Sequence, residues 1–352
     1  ICYDEGDFSL VMDYLIICDP DGTHVTRLIN DFSINPKNIW VWDSIPTHQS
    51  FLGLLQKKLG FNHITIDLMK ENYHMKFDKV LSNPPYDDQM YVKIMKLLPK
   101  LLKKDGQFQF LVPNKILIPF TNAAKFAKDN FSIDRIDLTY GKEFVESIEG
   151  TWVCNVVGKL GKTVSKFLLI LPNGEEVKTD FDSPNPVMEM NRIDFDLHNK
   201  IMRKDNKFIS HRQGDINEKY FCYVRPTASR VKNKLRYQGI TKFVEKDFVV
   251  GYKPDGSEII CKATKSGFYQ VCKSKEQAER MLKIYTESEL FRYISFCNIG
   301  NTFISKFNKE FLPNVEDCSY NSEQDVYDFF NINDDEIKHM QTVLKKQRDR
   351  HH

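Results

Sequence analysis

The residues with the most chemistry in the sequence are Ser82 to Tyr86, "SNPPY", which follow "FDKVL" directly. An exocyclic amine on a planar base is a weak nucleophile, because its lone pair is delocalised into the ring. Two acceptors on its two N–H bonds draw the nitrogen toward a tetrahedral geometry and expose that lone pair. The side-chain oxygen of Asn83 and the backbone carbonyl of Pro84 can be those acceptors, and Tyr86 offers a face on which the base can stack. If the electrophile is already activated, as a sulfonium is, no strong base is needed beforehand. Catalysis is then mostly orientation and electrostatics. Pro84 and Pro85 fix two φ angles, and Asn83 and Pro84, each preceding a proline, are pushed to extended geometry. A base within a duplex has to flip out to reach such a loop. The competing reading is an ordinary proline turn.

The elements that must hold this loop follow from periodicity and turn chemistry. Phe77–Leu81 reads as a strand that proline terminates, placing the loop at a strand's carboxyl end, where open α/β sheets bind ligands. Asn38–Asp43 ("NIWVWD") and Asn62–Asp67 ("NHITID") read as two earlier strands. Between them a loop "SIPTHQ" leads to a helix over Ser50–Leu59, closed by Gly60. Apolar Met90, Ile94, Leu97, Leu98 and Leu101 predict one amphipathic helix ending at Gly106. "QFQFLVPN" and "SIDRIDL" add strands, with a helix over Asn122–Lys128. Strands alternating with helices predict a parallel, doubly wound, Rossmann-like α/β domain over residues 1–165. Beyond it, hairpin signals at "LPNGEEV" and "KPDGSEII" and later helical patterns predict a mixed α+β region over 166–352.

The bulk composition describes a water-soluble protein of two domains: 352 residues, 41% apolar and 28% charged. The net charge of +2 hides segregation. Residues 201–250 carry 12 Lys/Arg against 5 Asp/Glu, and residues 309–337 carry 9 acids against one lysine. A basic middle with an acidic end fits a polyanion-binding face and a solvated tail, or simply a solvated surface. In "RPTASRVKNKLRYQG", Arg225, Arg230, Lys232, Lys234 and Arg236 sit among tyrosines as candidate phosphate contacts, and Lys115 in "VPNKIL" is another. The eight cysteines form no C-x-x-C pair, and His48, His63 and His74 lack ligand spacing, so no metal is expected. "DPDG" at Asp19–Gly22 reads as a turn rather than a calcium loop. No signal peptide or membrane span is visible, and a cytoplasmic location is expected. The start at Ile1 and the close at His351–His352 read as trimmed or tagged ends.

"FDKVLSNPPY", a following helix and "GQFQFLVPNKIL" resemble the N6-adenine DNA amino-methyltransferases of restriction–modification systems. The gamma-type order, catalytic domain first and target-recognition region second, is the nearest arrangement. The resemblance covers most of residues 25–165 and continues more loosely beyond. It implies S-adenosylmethionine as cofactor, duplex DNA as partner, a bacterial or phage origin, and a cognate restriction enzyme or second subunit. It gives Asn83, Pro84, Pro85 and Tyr86 to the flipped adenine and Phe144 in "YGKEFVES" to that base's other face. Asp43, Ser50, Phe51, Asp67 and Asn83 fall to the cofactor, with Asp67 serving either its ribose or its adenine. The family's glycine-rich cofactor loop follows its first strand; the expected counterpart, "DSIPTHQSFLG", has no glycine before Gly53. That departure keeps two other readings open: a catalytically silent DNA-binding relative or partner subunit, and an enzyme with an RNA or protein-amide substrate.

Overall fold

The computed structural model describes residues 8–71, 73–117, 121–139, 153–161, 166–183, 191–202, 209–210, 221–228, 235–238, 240–245, 248–252, 258–262, 268–298 and 313–349. The chain divides into two compact units, 1–183 and 184–352. The boundary expected at 165/166 therefore falls later, because the hairpin around "LPNGEEV" pairs with the first sheet.

That sheet contains β1 (Tyr14–Ile17), β2 (Ile39–Trp42), β3 (Asn62–His63), β4 (Phe77–Ser82), β5 (Leu102–Pro113), β6 (Phe131–Asp137), β7 (Val153–Leu160), β8 (Phe167–Ile170) and β9 (Glu176–Thr179). Their order is β3-β2-β1-β4-β5-β7-β6-β8-β9. β3, β2, β1, β4 and β5 run parallel, whereas β7 is antiparallel to both β5 and β6. Among the described residues the helices of this unit are α1 (Thr23–Asn30), α2 (Pro46–Leu59), α3 (Met90–Met95), α4 (Leu98–Leu101) and α5 (Asn122–Asn130). This is a doubly wound, Rossmann-like α/β fold. β1 goes through α1 to β2 on one side, while β4 pairs on the other, so the order reverses between β1 and β4. Such a switch point opens a crevice at the carboxyl ends of the strands.

The core beneath it is apolar on both sides of β1. Tyr14, Ile16, Ile39, Val41 and Leu81 from the strands pack with Val25, Leu28 and Leu52 from the helices. At about 1.5–3 kcal/mol per buried large side chain, this cluster is what fixes the two helices on the sheet. At the opposite, amino edge, Lys103 Nζ lies 3.0 Å from Asp13 Oδ2 and 2.8 Å from Asp78 Oδ2. The Asp78 carboxylate also accepts the Asp13 N–H at 2.8 Å, tying the starts of β1, β4 and β5 together.

The local structure departs from the sequence expectation in three places. β1 was not anticipated. "NHITID" pairs over only two residues, because the Ile66 carbonyl is taken by the Trp42 indole N–H at 3.0 Å instead of by a strand. The long helix expected up to Gly106 breaks after Met95, restarts with Pro99 in its first turn and gives way to strand at Leu102. Phe77 pairs with Leu102 but Lys79 with Gln107, so residues 103–106 loop out of register as a bulge. Gly106 serves that bulge: a Cβ there would meet the Lys103 carbonyl oxygen at 2.9 Å.

The second unit is mixed α+β. β10 (Ile209–Ser210), β16 (Phe268–Val271), β11 (Phe221–Ala228) and β12 (Leu235–Gln238) form one antiparallel sheet, in that order. β13 (Ile240–Glu245), β14 (Phe248–Tyr252) and β15 (Glu258–Lys262) form another. Its helices among the described residues are α6 (Arg192–Met202), α7 (Lys275–Glu287), α8 (Glu289–Asn298), α9 (Glu323–Phe330) and α10 (Asp334–Asp349). Three of them meet on one buried carboxylate. Asp194 of α6 accepts the Tyr293 hydroxyl of α8 and lies 2.6 Å from His339 Nε2 of α10. Its second oxygen takes the Asn191 N–H at 3.0 Å, and Lys200–Glu336 at 2.9 Å pairs α6 with α10 again.

Candidate functional site

Three carboxyl-end loops converge at the switch point. The loop after β1 runs from Cys18 to Gly22, the loop after β2 from Asp43 to Ile45, and the loop after β4 from Asn83 to Tyr86. Between them lies a cavity of about 340 Å³, lined in part by Cys18, Pro20, Asp43, His48, Asn83 and Tyr86. That volume suits a small-molecule site.

Asp43 is its best-defined polar group. The residue is 2% exposed. Its Oδ1 accepts the Ile45 N–H at 2.8 Å, whereas its Oδ2 has no hydrogen-bond partner. His48 Nδ1 stands 3.2 Å from Oδ1 but is not aimed at it as a hydrogen bond, so the contact is Coulombic and needs a protonated ring. Gln49 clamps the same residue from behind: its amide donates to the Asp43 carbonyl and its oxygen meets His63 Nε2. A buried carboxylate oxygen left without a donor is costly unless a ligand supplies one. A hydroxyl-bearing ligand fits that requirement.

The first loop is shaped by one carboxylate and one glycine. Asp19, fully buried, accepts the backbone N–H groups of His24 and Val25 at 3.0 and 2.9 Å and so caps the first turn of α1. Burial raises its carboxyl to about 6, against the pull of those two donors. Gly22 adopts φ +71°, and a Cβ there would sit 2.1 Å from Leu55 Cδ2 on α2. Cys18, non-glycine, is also left-handed at φ 63°, and burial pushes its thiol up to about 12.

In the third loop the Tyr86 hydroxyl donates to Asn83 Oδ1 at 3.2 Å. The oxygen keeps a second lone pair available for a ligand donor. Burial raises the Tyr86 phenol far above its ordinary value, so it stays a neutral donor. Asp88 and Gln89 follow with φ 49° and 56°, two adjacent non-glycine residues in the left-handed region. Strain of this kind clusters at functional sites.

The expected site residues divide. Asn83, Pro84, Pro85, Tyr86 and Asp43 line the cavity together. Ser50 and Phe51 do not: α2 begins at Pro46, so "PTHQSFL" is helix, and both residues lie exposed on it. "DSIPTHQSFLG" therefore follows the second strand, and the loop after the first strand is "CDPDG", which does contain a glycine. Asp67 is absent from the cavity lining. It accepts the Met69 N–H and pairs with Lys70 at 3.0 Å, contacts that hold its carboxyl below the ordinary range. Lys115 stands in a 3-10 turn just beyond the carboxyl end of β5. Arg225 is on β11, opposite Gln238, and Arg236 on β12, opposite Thr227. Phe144, Arg230, Lys232 and Lys234 lie outside the described residues. Cys18, Pro20 and His48 were missed as site residues; the signal for the first two was the apolar run "YLII" running into "DPDG".

No protein-family profile and no curated protein matches the chain. Solved structures do. One is assigned as a class I S-adenosylmethionine-dependent methyltransferase from Listeria monocytogenes, at 16% identity and TM-score 0.34 over 45% of this chain. The likeness takes in 57% of that protein, a little over half its length. An S-adenosylmethionine-dependent methyltransferase from Mesorhizobium loti is similar at 12% identity and TM-score 0.32, covering 43% of this chain and 93% of that one. A chain of a type I R-M system is similar at 16% identity and TM-score 0.30, covering 39% and 34%. Among the described residues no helix is long and apolar enough to cross a membrane.

Proposed function

We propose that the cavity binds S-adenosylmethionine and that the protein transfers a methyl group to the exocyclic amine of an adenine flipped out of duplex DNA. The observation that carries this reading is that Asp43, with its unpartnered carboxylate oxygen, and the Asn-Pro-Pro-Tyr loop share one cavity at the switch point. When bound, the cofactor supplies an electrophilic methyl group on a sulfonium. Asp43 Oδ2 accepts a ribose hydroxyl, completing its own hydrogen bonding. Asn83 Oδ1, oriented by Tyr86, and the Pro84 carbonyl accept the two amine N–H bonds and raise the nitrogen's nucleophilicity. The amine would lose one proton to solvent after the methyl group is accepted, so no strong base is needed before attack. Lys115, Arg225 and Arg236, with Arg230, Lys232 and Lys234, are assigned to the DNA, and a restriction enzyme or second subunit is the expected companion.

Calorimetric titration with S-adenosylmethionine, with and without duplex DNA, tests the reading. Micromolar binding followed by methylation of adenine in DNA rather than in RNA is expected. Absence of binding in both conditions would overturn it in favour of a silent DNA-binding partner. Tyr86→Ala, checked for an unchanged melting temperature, should weaken binding of an extrahelical base by about 1–3 kcal/mol, the worth of one base–aromatic stack. Unaltered binding would make Tyr86 a packing residue.

A further inference from the structure

The helices that follow the Asn-Pro-Pro-Tyr loop carry charge of one sign. Residues 89–104 contain five lysines and no aspartate or glutamate. In α3 and α4, Tyr91, Val92, Ile94, Met95, Leu98 and Leu101 are buried. Lys93, Lys96 and Lys100, spaced by three and four, are left exposed on the outer face. Lys76 joins them, its Nζ held 3.3 Å from the Pro99 carbonyl beside α4. Among the described residues none of these four ammonium groups has a carboxylate within 4.0 Å, whereas Lys103 nearby has two. An ordinary solvated helix mixes signs at i,i+4. Helix-dipole complementarity favours a cation in a last turn, but it gives no reason to exclude every acid over sixteen residues. The row starts six residues beyond the cavity-lining Asp87, with Lys93 in α3, Lys96 at its carboxyl end and Lys100 in α4.

We propose that this lysine row is a backbone track for nucleic acid: Lys93, Lys96 and Lys100, with Lys76 alongside, hold successive phosphates of the strand whose base enters the cavity. It rests on the reading above for the class of ligand. It adds a contact surface on the catalytic unit itself. A point-charge ammonium suits this task, because the contacts neutralise phosphates without reading bases.

The test is the salt dependence of binding of a fluorescent adenine-containing duplex, by anisotropy, for the whole chain and for Lys93→Gln/Lys96→Gln/Lys100→Gln. Each lost phosphate contact lowers the log–log salt slope by about one, so a fall of about two to three is expected, with cofactor affinity and melting temperature unchanged. The all-arginine triple should keep the parent slope. Lys57→Gln/Lys58→Gln, on the far end of α2, should also leave it alone. An unchanged slope in the glutamine triple would overturn the track while leaving the methyl-transfer reading intact. Failure of the parent protein to bind duplex at low salt would overturn both. Binding of anionic vesicles that the glutamine triple loses, with the DNA slope unaltered, would reassign the row to a membrane surface.

Discussion

Asn83→Ala is expected to lower methyl transfer by about two to three orders of magnitude, while S-adenosylmethionine affinity stays within a few-fold. The expected size is that of removing one preorganised hydrogen-bonding group from a reacting centre. The asymmetry between rate and affinity follows from geometry. Asn83 Oδ1 accepts the Tyr86 hydroxyl on the loop assigned to the target base, while Asp43, whose Oδ2 has no hydrogen-bond partner, stands on a different loop. Single-turnover methylation and calorimetry on the same preparation separate the two effects. Loss of folding, or of all cofactor binding, would contradict the role given to Asn83. The variant also leaves the Tyr86 hydroxyl without its acceptor, a cost of about 1 kcal/mol that a melting curve should register independently.

The second large effect is on stability. Asp194→Ala removes the acceptor shared by Tyr293, His339 and the Asn191 N–H. Tyr293 is 1% exposed, so water cannot simply replace the lost carboxylate at its hydroxyl. Each buried donor left without its acceptor costs about 1–3 kcal/mol, so loss of the shared carboxylate should cost about 3–5 kcal/mol in all. At about 2–4 °C per kcal/mol for a region of this size, the melting transition of the second unit should fall by roughly 6–20 °C. His339→Gln, which keeps a donor, should cost much less. Equal losses in the two variants would mean that the site tolerates the orphaned groups, and that α6, α8 and α10 are held by apolar packing alone.

The fold was legible where local signals were redundant. β4 announces itself by alternation and a proline stop, and α2 by its apolar spacing and Gly60, which closes it at φ 81°. α5 begins on Thr121, whose hydroxyl accepts the Ala124 N–H. β1 was lost because four buried residues in a row show no alternation, and the turn after it looked self-sufficient. Missing that strand moved every later βα loop one place along the sheet, and so Ser50 and Phe51, read as the start of a helix, were given to the cofactor from the segment after the second strand instead of the first. α3 was overextended because its apolar spacing continues through Pro99 into the first residues of β5.

The site was legible to the extent that its chemistry is contiguous. Asn83, Pro84 and Tyr86 carry theirs within four residues, and the carboxylate of Asp43 was found even though its strand was miscounted. Cys18, Pro20 and His48 join the cavity only through the meeting of three loops, which no spacing in the chain reveals. Asp67 shows the converse. Its position in the sequence suits a cofactor acid, yet its oxygens are spent on Met69 and Lys70.

Asp19 has one more consequence. In dinucleotide-binding relatives of this architecture, the amides at the start of the first helix are the anchor for a pyrophosphate. Here the protein has closed that anchor with its own carboxylate: the His24 and Val25 N–H groups are already bonded, and a negative charge stands where the phosphates would go. A phosphate placed there would meet that carboxylate instead of free amides, so under the proposed function S-adenosylmethionine is expected to bind more tightly than NAD.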